Sequence, residues 1–435
     1  MSQGDAHRQA WIRVEVPASL IPDEIRRIAL PELQPVRAAL SSDAIDHPRR
    51  AVFEALTQQL ANLTPALEPG ARVALALGSR GLGSYPELVR GAVDALMTAG
   101  FEPFVMPAMG SHGGGTPEGQ RRVLDDYGLV PEGIPVEVDD ATTQIATLAD
   151  GTGVHASRIA QAADAIVVLN RIKSHTGFQG PIESGLSKML VIGLGKRPGA
   201  ASMHAKGYAG FAQRLEEARE LLLGVYPPVL GLAVVENADA QPALVEALTA
   251  DTWAAREPEL LLEAKRRMAR LPFEKLDVLV VERAGKDISG LGMDPNVTGR
   301  FAVGEPTAPN PTRIALLSLT AASEGNASGM GHADVIPKSF AEAVDPISTW
   351  TNAITSTSLG SARMPMVVPD AETCVLVALA TCGVPAGQAR IAWIRDTSDL
   401  SILYVSASAL EASTHPLEPL GLPERPKDGT LFAQS

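Results

Sequence analysis

Apolar residues in this chain come in short runs bounded by glycine or proline. Between the runs lie stretches in which apolar residues recur with helical spacing. The runs predict strands over 72–77, 101–106, 165–169, 230–235, 276–281, 314–319, 390–394 and 402–405. The periodic stretches predict helices over about 48–62, 86–99, 117–127, 209–223, 254–270 and 371–380. Strands alternating with helices predict an α/β architecture. A charged helical segment over 256–270 is followed by Leu271 and Pro272 and then by a new strand series. This predicts two α/β domains, 1–270 and 271–435, with a ligand cleft between them. The last twenty or so residues, proline-rich and without periodicity, read as a covering tail.

Composition narrows the class. With 435 residues the chain exceeds one ordinary domain, and 45% hydrophobic against 20% charged residues is a globular balance, not a disordered or coiled-coil one. A formal charge of −13, with no Lys/Arg run longer than two, argues against a nucleic-acid partner. No stretch approaches the length of an apolar membrane span, and the first fifteen residues lack the basic-then-apolar order of a signal peptide. Two cysteines, Cys374 and Cys382, cannot supply a disulfide framework or a four-thiolate zinc site. A cytoplasmic protein that uses neither nucleic acid nor membrane is the expectation.

Three segments could carry chemistry. In MPAMGSHGGGTPEGQ a strand ends near Pro107, four glycines crowd Ser111 and His112, and Thr116-Pro117-Glu118 supplies an N-cap and first helical turn. Backbone there can approach a ligand closely, and a helix N-terminus favours an anion; the alternative is a tight turn with a solvated histidine. The stretch from Ile166 to Gly207 concentrates His175, Lys188 and His204 among small residues. A neutral imidazole can hold a metal or move a proton near pH 7, and a desolvated lysine becomes nucleophilic. Against this stand structural histidines and a lysine snorkelling to solvent. In ALALGSRGLGS, Arg80 tips a Gly-rich turn at a strand end, where its fork suits a carboxylate or phosphate, unless it is a plain surface arginine. The loop AGKDISGLGMDPNVTGR, with Lys286, Asp287, Asp294 and Arg300, and the loop GNASGMGHAD, with His332, follow strands of the second half; for His332 the structural reading is preferred.

Taken in order, GSHGGGT, SHTGF, SGLSKMLVIGLG and a histidine sixteen residues after the lysine resemble the nickel-dependent lactate racemase family, over about residues 70–210. The resemblance implies that the first domain is the cofactor domain and the second closes the cleft. It also implies a nickel pincer nucleotide, pyridinium-3,5-bisthiocarboxylic acid mononucleotide, tethered to Lys188, with His204 completing nickel coordination. His112 and His175 would be the acid/bases. Arg80, Ser111 and Gly113 are candidates for cofactor contact, and Arg80 and Arg300 for substrate contact. The implied activity is racemisation or epimerisation of a small-molecule 2-hydroxy acid by reversible hydride transfer from carbon 2, and the implied partners include cofactor-synthesis proteins. Such a route suits the chemistry, because the α-proton beside a carboxylate is too weakly acidic for an ordinary histidine.

The sequence also departs from the family pattern. Leu77 stands where an aspartate usually precedes the arginine turn, Ile192 replaces a proline before Gly193, and the second domain's tyrosine- and lysine-bearing loop is not recognisable. These departures point away from lactate, and the polar Gly/Ser/Asn loops lean toward a hydrophilic acid such as an aldonate. Two rivals remain at this stage: a zinc hydrolase built on His112, His175 and His204, and a non-enzymatic nucleotide- or metal-binding protein.

Overall fold

The computed structural model describes residues 12, 14–63, 66–79, 81–301 and 304–421. The chain is α/β and folds as two compact units, one spanning Ser41–Met268 and the other combining residues up to Leu40 with those from Ala269 onward. The strands, in chain order, are β1 (Leu33–Ala38), β2 (Arg72–Leu77), β3 (Glu102–Pro107), β4 (Thr142–Thr147), β5 (Gly153–Ser157), β6 (Ala165–Arg171), β7 (Val229–Glu236), β8 (Pro242–Thr249), β9 (Val278–Ala284), β10 (Arg313–Leu319), β11 (Val335–Pro337), β12 (Met366–Val368), β13 (Ile391–Ile394), β14 (Ile402–Ser406) and β15 (Leu417–Pro419).

The Ser41–Met268 unit holds a five-stranded sheet in the order β3-β2-β6-β7-β8, parallel except for the antiparallel edge strand β8. Its central strands carry buried, almost wholly apolar runs, Val73–Leu77, Ala165–Leu169 and Val229–Val235, because both faces are covered. In β2, Ala74 and Ala76 enter one core while Val73, Leu75 and Leu77 enter the other, and β6 divides in the same way. The helices Pro48–Leu60 and Tyr85–Thr98 supply Val52, Leu56, Leu88 and Val89 to the second core. Helices Phe211–Leu223 and Ala250–Arg267 supply Leu215, Trp253 and Leu260 to the first. The chain runs from β2 out to β3 and then returns to β6 on the other side of β2. The carboxyl ends of β2 and β6 therefore form a topological switch point, the place where open α/β sheets receive ligands.

The other unit carries an eight-stranded sheet, β12-β11-β10-β9-β13-β14-β1-β15, with β9 to β13 parallel to one another and β14, β1 and β15 antiparallel. Here the single boundary expected near 270 is corrected. The crossing at Met268 to Ala269 is close to it, but β1 pairs with β14 from Leu33↔Ser406 to Arg37↔Ile402, so the first forty residues belong with the C-terminal half. The pairing buries Val36 and Ala38 in that unit's core, which a chain entering the other unit directly would leave exposed. Within the expected tail, β15 pairs with β1, and 422–435 lie outside the described residues. No helix among the described residues is long and apolar enough to cross a membrane.

Candidate active site

The site is assembled from three successive strand ends of the five-stranded sheet. After β2 the chain reaches Gly78 and Ser79; Arg80 lies outside the described residues. After β3 it reaches Gly110, Ser111 and His112, and after β6 Lys173 to His175. Because β2 lies between β3 and β6, strand spacing sets the ends of those two strands roughly 10 Å apart, with the end of β2 between them.

The His112 turn is built by its glycines. Gly110, Gly113, Gly114 and Gly115 all have positive φ, a conformation that side chains with a Cβ resist. The turn closes through the His112 N–H donating to the Met109 carbonyl (3.0 Å), and the Gln120 side-chain amide donates to the carbonyls of Gly110 (2.9 Å) and His112 (3.3 Å). Thr116 caps the Pro117–Asp126 helix by accepting from Gly119 N–H at 3.1 Å, as its N-cap signature predicts. Ser111 and His112 are exposed, and His112 Nδ1 contacts Ser79 Oγ, which joins the ends of β3 and β2.

His175 sits on a loop pinned at its base by the paired backbones of Lys173 and Ser184. Inside the loop, buried Glu183 accepts from His175 N–H (2.6 Å) and Gly180 N–H (3.3 Å), with Lys265 of the Ala250–Arg267 helix as its counter-charge at 2.6 Å. The Gly177 N–H donates to His175 Nδ1 at 2.9 Å, so the neutral ring carries its proton on Nε2. Burial pushes His175 well below the usual imidazole range, and the charges of Lys188, Lys173 and His204 act in the same direction.

His204 has the opposite tautomer. It ends the Lys196–His204 helix, and its Nδ1 lies 2.7 Å from the Ala200 carbonyl, which can only accept. Nδ1 therefore carries the proton and Nε2 keeps its lone pair. Burial lowers the proton affinity of His204, the Ala200 bond opposes that, and Lys188 and Arg214 add to it. His175 and His204 share one corner through Tyr208, and the charge of Lys188 acts on both. The wall of that corner is aromatic: Phe178 lies 4.5 Å from the His175 ring, Phe211 lies 5.2 Å from His204, and Tyr208 lies 5.7 Å from His175 and 6.2 Å from His204.

Lys188 closes the short Leu186–Lys188 helix, which continues as a π-helix over Met189–Gly193 before Lys196–His204. π-Bulges are frequent at functional sites. The π-helix packs under the His112 turn: Gly110 N–H donates to the Gly193 carbonyl (3.1 Å), and a Cβ on Gly193 would lie 2.5 Å from the Ala108 carbonyl oxygen.

Other residues fall differently from expectation. Arg300 donates to Asp334 (2.7 Å) and to the carbonyls of His332 (2.9 Å) and Pro311 (2.6 Å), so its fork is engaged inside its own unit. Gly113 belongs to the backbone of the turn, where a Cβ would lie 2.7 Å from Gln120 N. The sequence reading passed over Lys196, a fully buried lysine that donates to the Pro107 carbonyl at 2.8 Å and so fixes the end of β3; burial lowers its pKa to about 8 against the pull of Asp139 and Asp140. Only its place in an otherwise small and apolar segment could have marked it. Among the described residues no three of His, Cys, Asp and Glu gather closely enough to hold a metal, so His112, His175 and His204 do not form the zinc site of the hydrolase reading.

The fold and site define an open α/β protein with titratable groups at a sheet switch point. Among solved structures, the chain is similar to the lactate racemase apoprotein from Thermoanaerobacterium thermosaccharolyticum, at 13% identity and a TM-score of 0.50, over 87% of this chain and 95% of that one. It also matches a Thermotoga maritima protein at 14% identity and a TM-score of 0.42, over 64% and 72% of the two chains. At such identity the likeness to the racemase apoprotein establishes the fold. No family model matches the sequence, and no curated protein matches it.

Proposed function

We propose that this protein is an isomerase, a racemase or epimerase of a 2-hydroxy acid that carries a nickel pincer nucleotide on Lys188. The observation that carries the reading is the pairing of His175 and His204 around Tyr208, with His204 held through Nδ1 so that Nε2 is left for a ligand. Metal-bound histidines characteristically donate their other ring N–H to a carbonyl or carboxylate. One imidazole is too few for a metal held by protein alone, but it fits a metal whose cofactor brings its own donors. In this reading Lys188, whose charge acts on both histidines, is the tether.

When bound, the cofactor supplies an acceptor for the hydride of carbon 2. The chain supplies the rest. His112 and His175, rooted on either side of the end of β2, flank a substrate from two directions, as inversion requires. In its neutral form His175 presents an Nε2–H, suited to hold the substrate oxygen as a donor; taking up a proton at Nε2 requires the ring to give up the Gly177 N–H bond. Ser79 reaches His112 Nδ1 and holds that ring at the mouth of the site. Phe178, Tyr208 and Phe211 line the site beside His175 and His204, where an apolar wall disfavours water.

The test is racemisation of enantiopure 2-hydroxy acids in deuterated water by protein co-produced with cofactor-synthesis proteins. The hydride route returns the original hydrogen, so the racemised product keeps protium at carbon 2. Deuterium there, or no conversion across short aliphatic, dicarboxylic, aromatic and sugar-derived acids by protein carrying the adduct, contradicts the proposal. His112→Ala and His175→Ala are expected to keep the adduct and lose about 10²–10⁴-fold in turnover.

A further inference from the structure

We propose that Glu257 is a positioning residue for Lys188. Glu257 lies on the Ala250–Arg267 helix, only 2% exposed, and burial raises its pKa. Burying a carboxylate is costly unless donors converge on it, and here Ser187, in the turn that carries Lys188, supplies two and Trp253 of the same helix a third. The Ser187 N–H lies 3.1 and 3.2 Å from the two carboxylate oxygens, and the Ser187 hydroxyl donates to Oε2. Trp253 Nε1–H donates to Oε2 at 2.8 Å, and Arg219 donates to Ser187 Oγ at 3.3 Å. The carboxylate thus caps the backbone one residue before Lys188.

The neighbouring backbone is shaped to admit it. A Cβ on Gly185 would lie 2.2 Å from Glu257 Oε1, so this approach needs a glycine. The Gly185 carbonyl in turn accepts from the Asn170 side chain at 2.8 Å, which ties the same turn to the end of β6 where the His175 loop begins. Residues 185–187 are therefore gripped from β6, from the Phe211–Leu223 helix through Arg219, and from the Ala250–Arg267 helix through Glu257. The next residue, half-buried Lys188, is the one whose charge is felt by both His175 and His204. The carboxylate accepts two donors from this turn and so fixes the backbone from which Lys188 projects.

The functional meaning rests on Lys188 as the tether, and the experiment separates the two ideas because it uses protein without cofactor. Glu257→Gln keeps the size of the side chain but turns one acceptor into a donor facing Ser187 and Trp253. Folded Glu257→Gln protein, verified by circular dichroism and its unfolding midpoint, is treated briefly with acetic anhydride. Acetylation of Lys188 is then compared by peptide mass spectrometry with that of the exposed Lys275 of the other unit. The expected result is at least a three-fold rise in the Lys188-to-Lys275 ratio, because the amine is no longer held in its corner. An unchanged ratio in folded protein overturns the proposal. Should Glu257→Gln not fold, Ser187→Ala removes the hydroxyl that both Glu257 and Arg219 grip. It is expected to raise the ratio at least two-fold, and an unchanged ratio again overturns the idea.

Discussion

Single side chains in this protein are set by what their second polar atom does. His175 and His204 share an aromatic wall yet present Nε2 in opposite states, protonated in one and with a free lone pair in the other, because a backbone N–H meets Nδ1 of one ring and a backbone carbonyl meets Nδ1 of the other. His332, in the other unit, has no such instruction: both ring nitrogens are buried without a hydrogen-bond partner among the described residues, and burial with the nearby Arg300 charge lowers its pKa to about 4. A histidine at 6.5 when unfolded and about 4 when folded binds more protons in the unfolded state between those values. Its contribution is therefore fully present above about pH 6.5 and lost as pH falls toward 4, over a range worth about 3 kcal/mol. Urea unfolding of this protein and of His332→Leu between pH 4.5 and 7 is expected to show a steeper loss on acidification in the unsubstituted protein. Parallel curves would refute the assignment. The histidine, lysine and capping positions were legible in the sequence because their residue types stand out among small and apolar neighbours. Tautomers, and the commitment of Arg300 to its own unit, were not, since both depend on carbonyls and amides that any residue could supply.

Elements were legible where one signal dominated. The periodicity gives 72–77 and 117–127, and the structure has Arg72–Leu77 and Pro117–Asp126. The Lys196–His204 helix escaped notice because GLGKRPG reads as a breaker. Pro198 is its third residue, within the first turn, where no backbone N–H is needed. Strand β8 escaped because an edge strand half open to solvent carries Pro242 and Glu246 instead of a continuous apolar run. β1 escaped because its partners lie more than 350 residues away in sequence. The His112 turn also makes a prediction. A Cβ on Gly119 would lie 1.8 Å from the Gly113 carbonyl oxygen, so Gly119→Ala must displace backbone on one side of the turn or the other. We expect it to cost about 1–3 kcal/mol of stability by denaturant titration, the range for overpacking. Gly133→Ala, which has positive φ but meets nothing within 4 Å, should cost less. Equal costs would show that strain at the turn is not what Gly119 relieves.

For the whole molecule, two α/β units follow from the alternation of strands and helices, and the fold is that of the lactate racemase apoprotein. The sequence order that suggested the family maps onto one end of one sheet: turns after β2, β3 and β6, then the helical run from Leu186 to His204. A sheet that reverses its winding between β2 and β6 has one natural place for a ligand, and the turns that carry His112 and His175 leave the strands at that end. The most direct test is intact-mass spectrometry with peptide mapping around Lys188, on protein co-produced with the cofactor-synthesis proteins and supplied with nickel. A nucleotide-sized adduct on Lys188, absent from Lys188→Ala, is the predicted result. An unmodified lysine, with a cofactor-loaded lactate racemase prepared alongside as the positive control, would contradict the assignment of Lys188 and with it the proposed reaction.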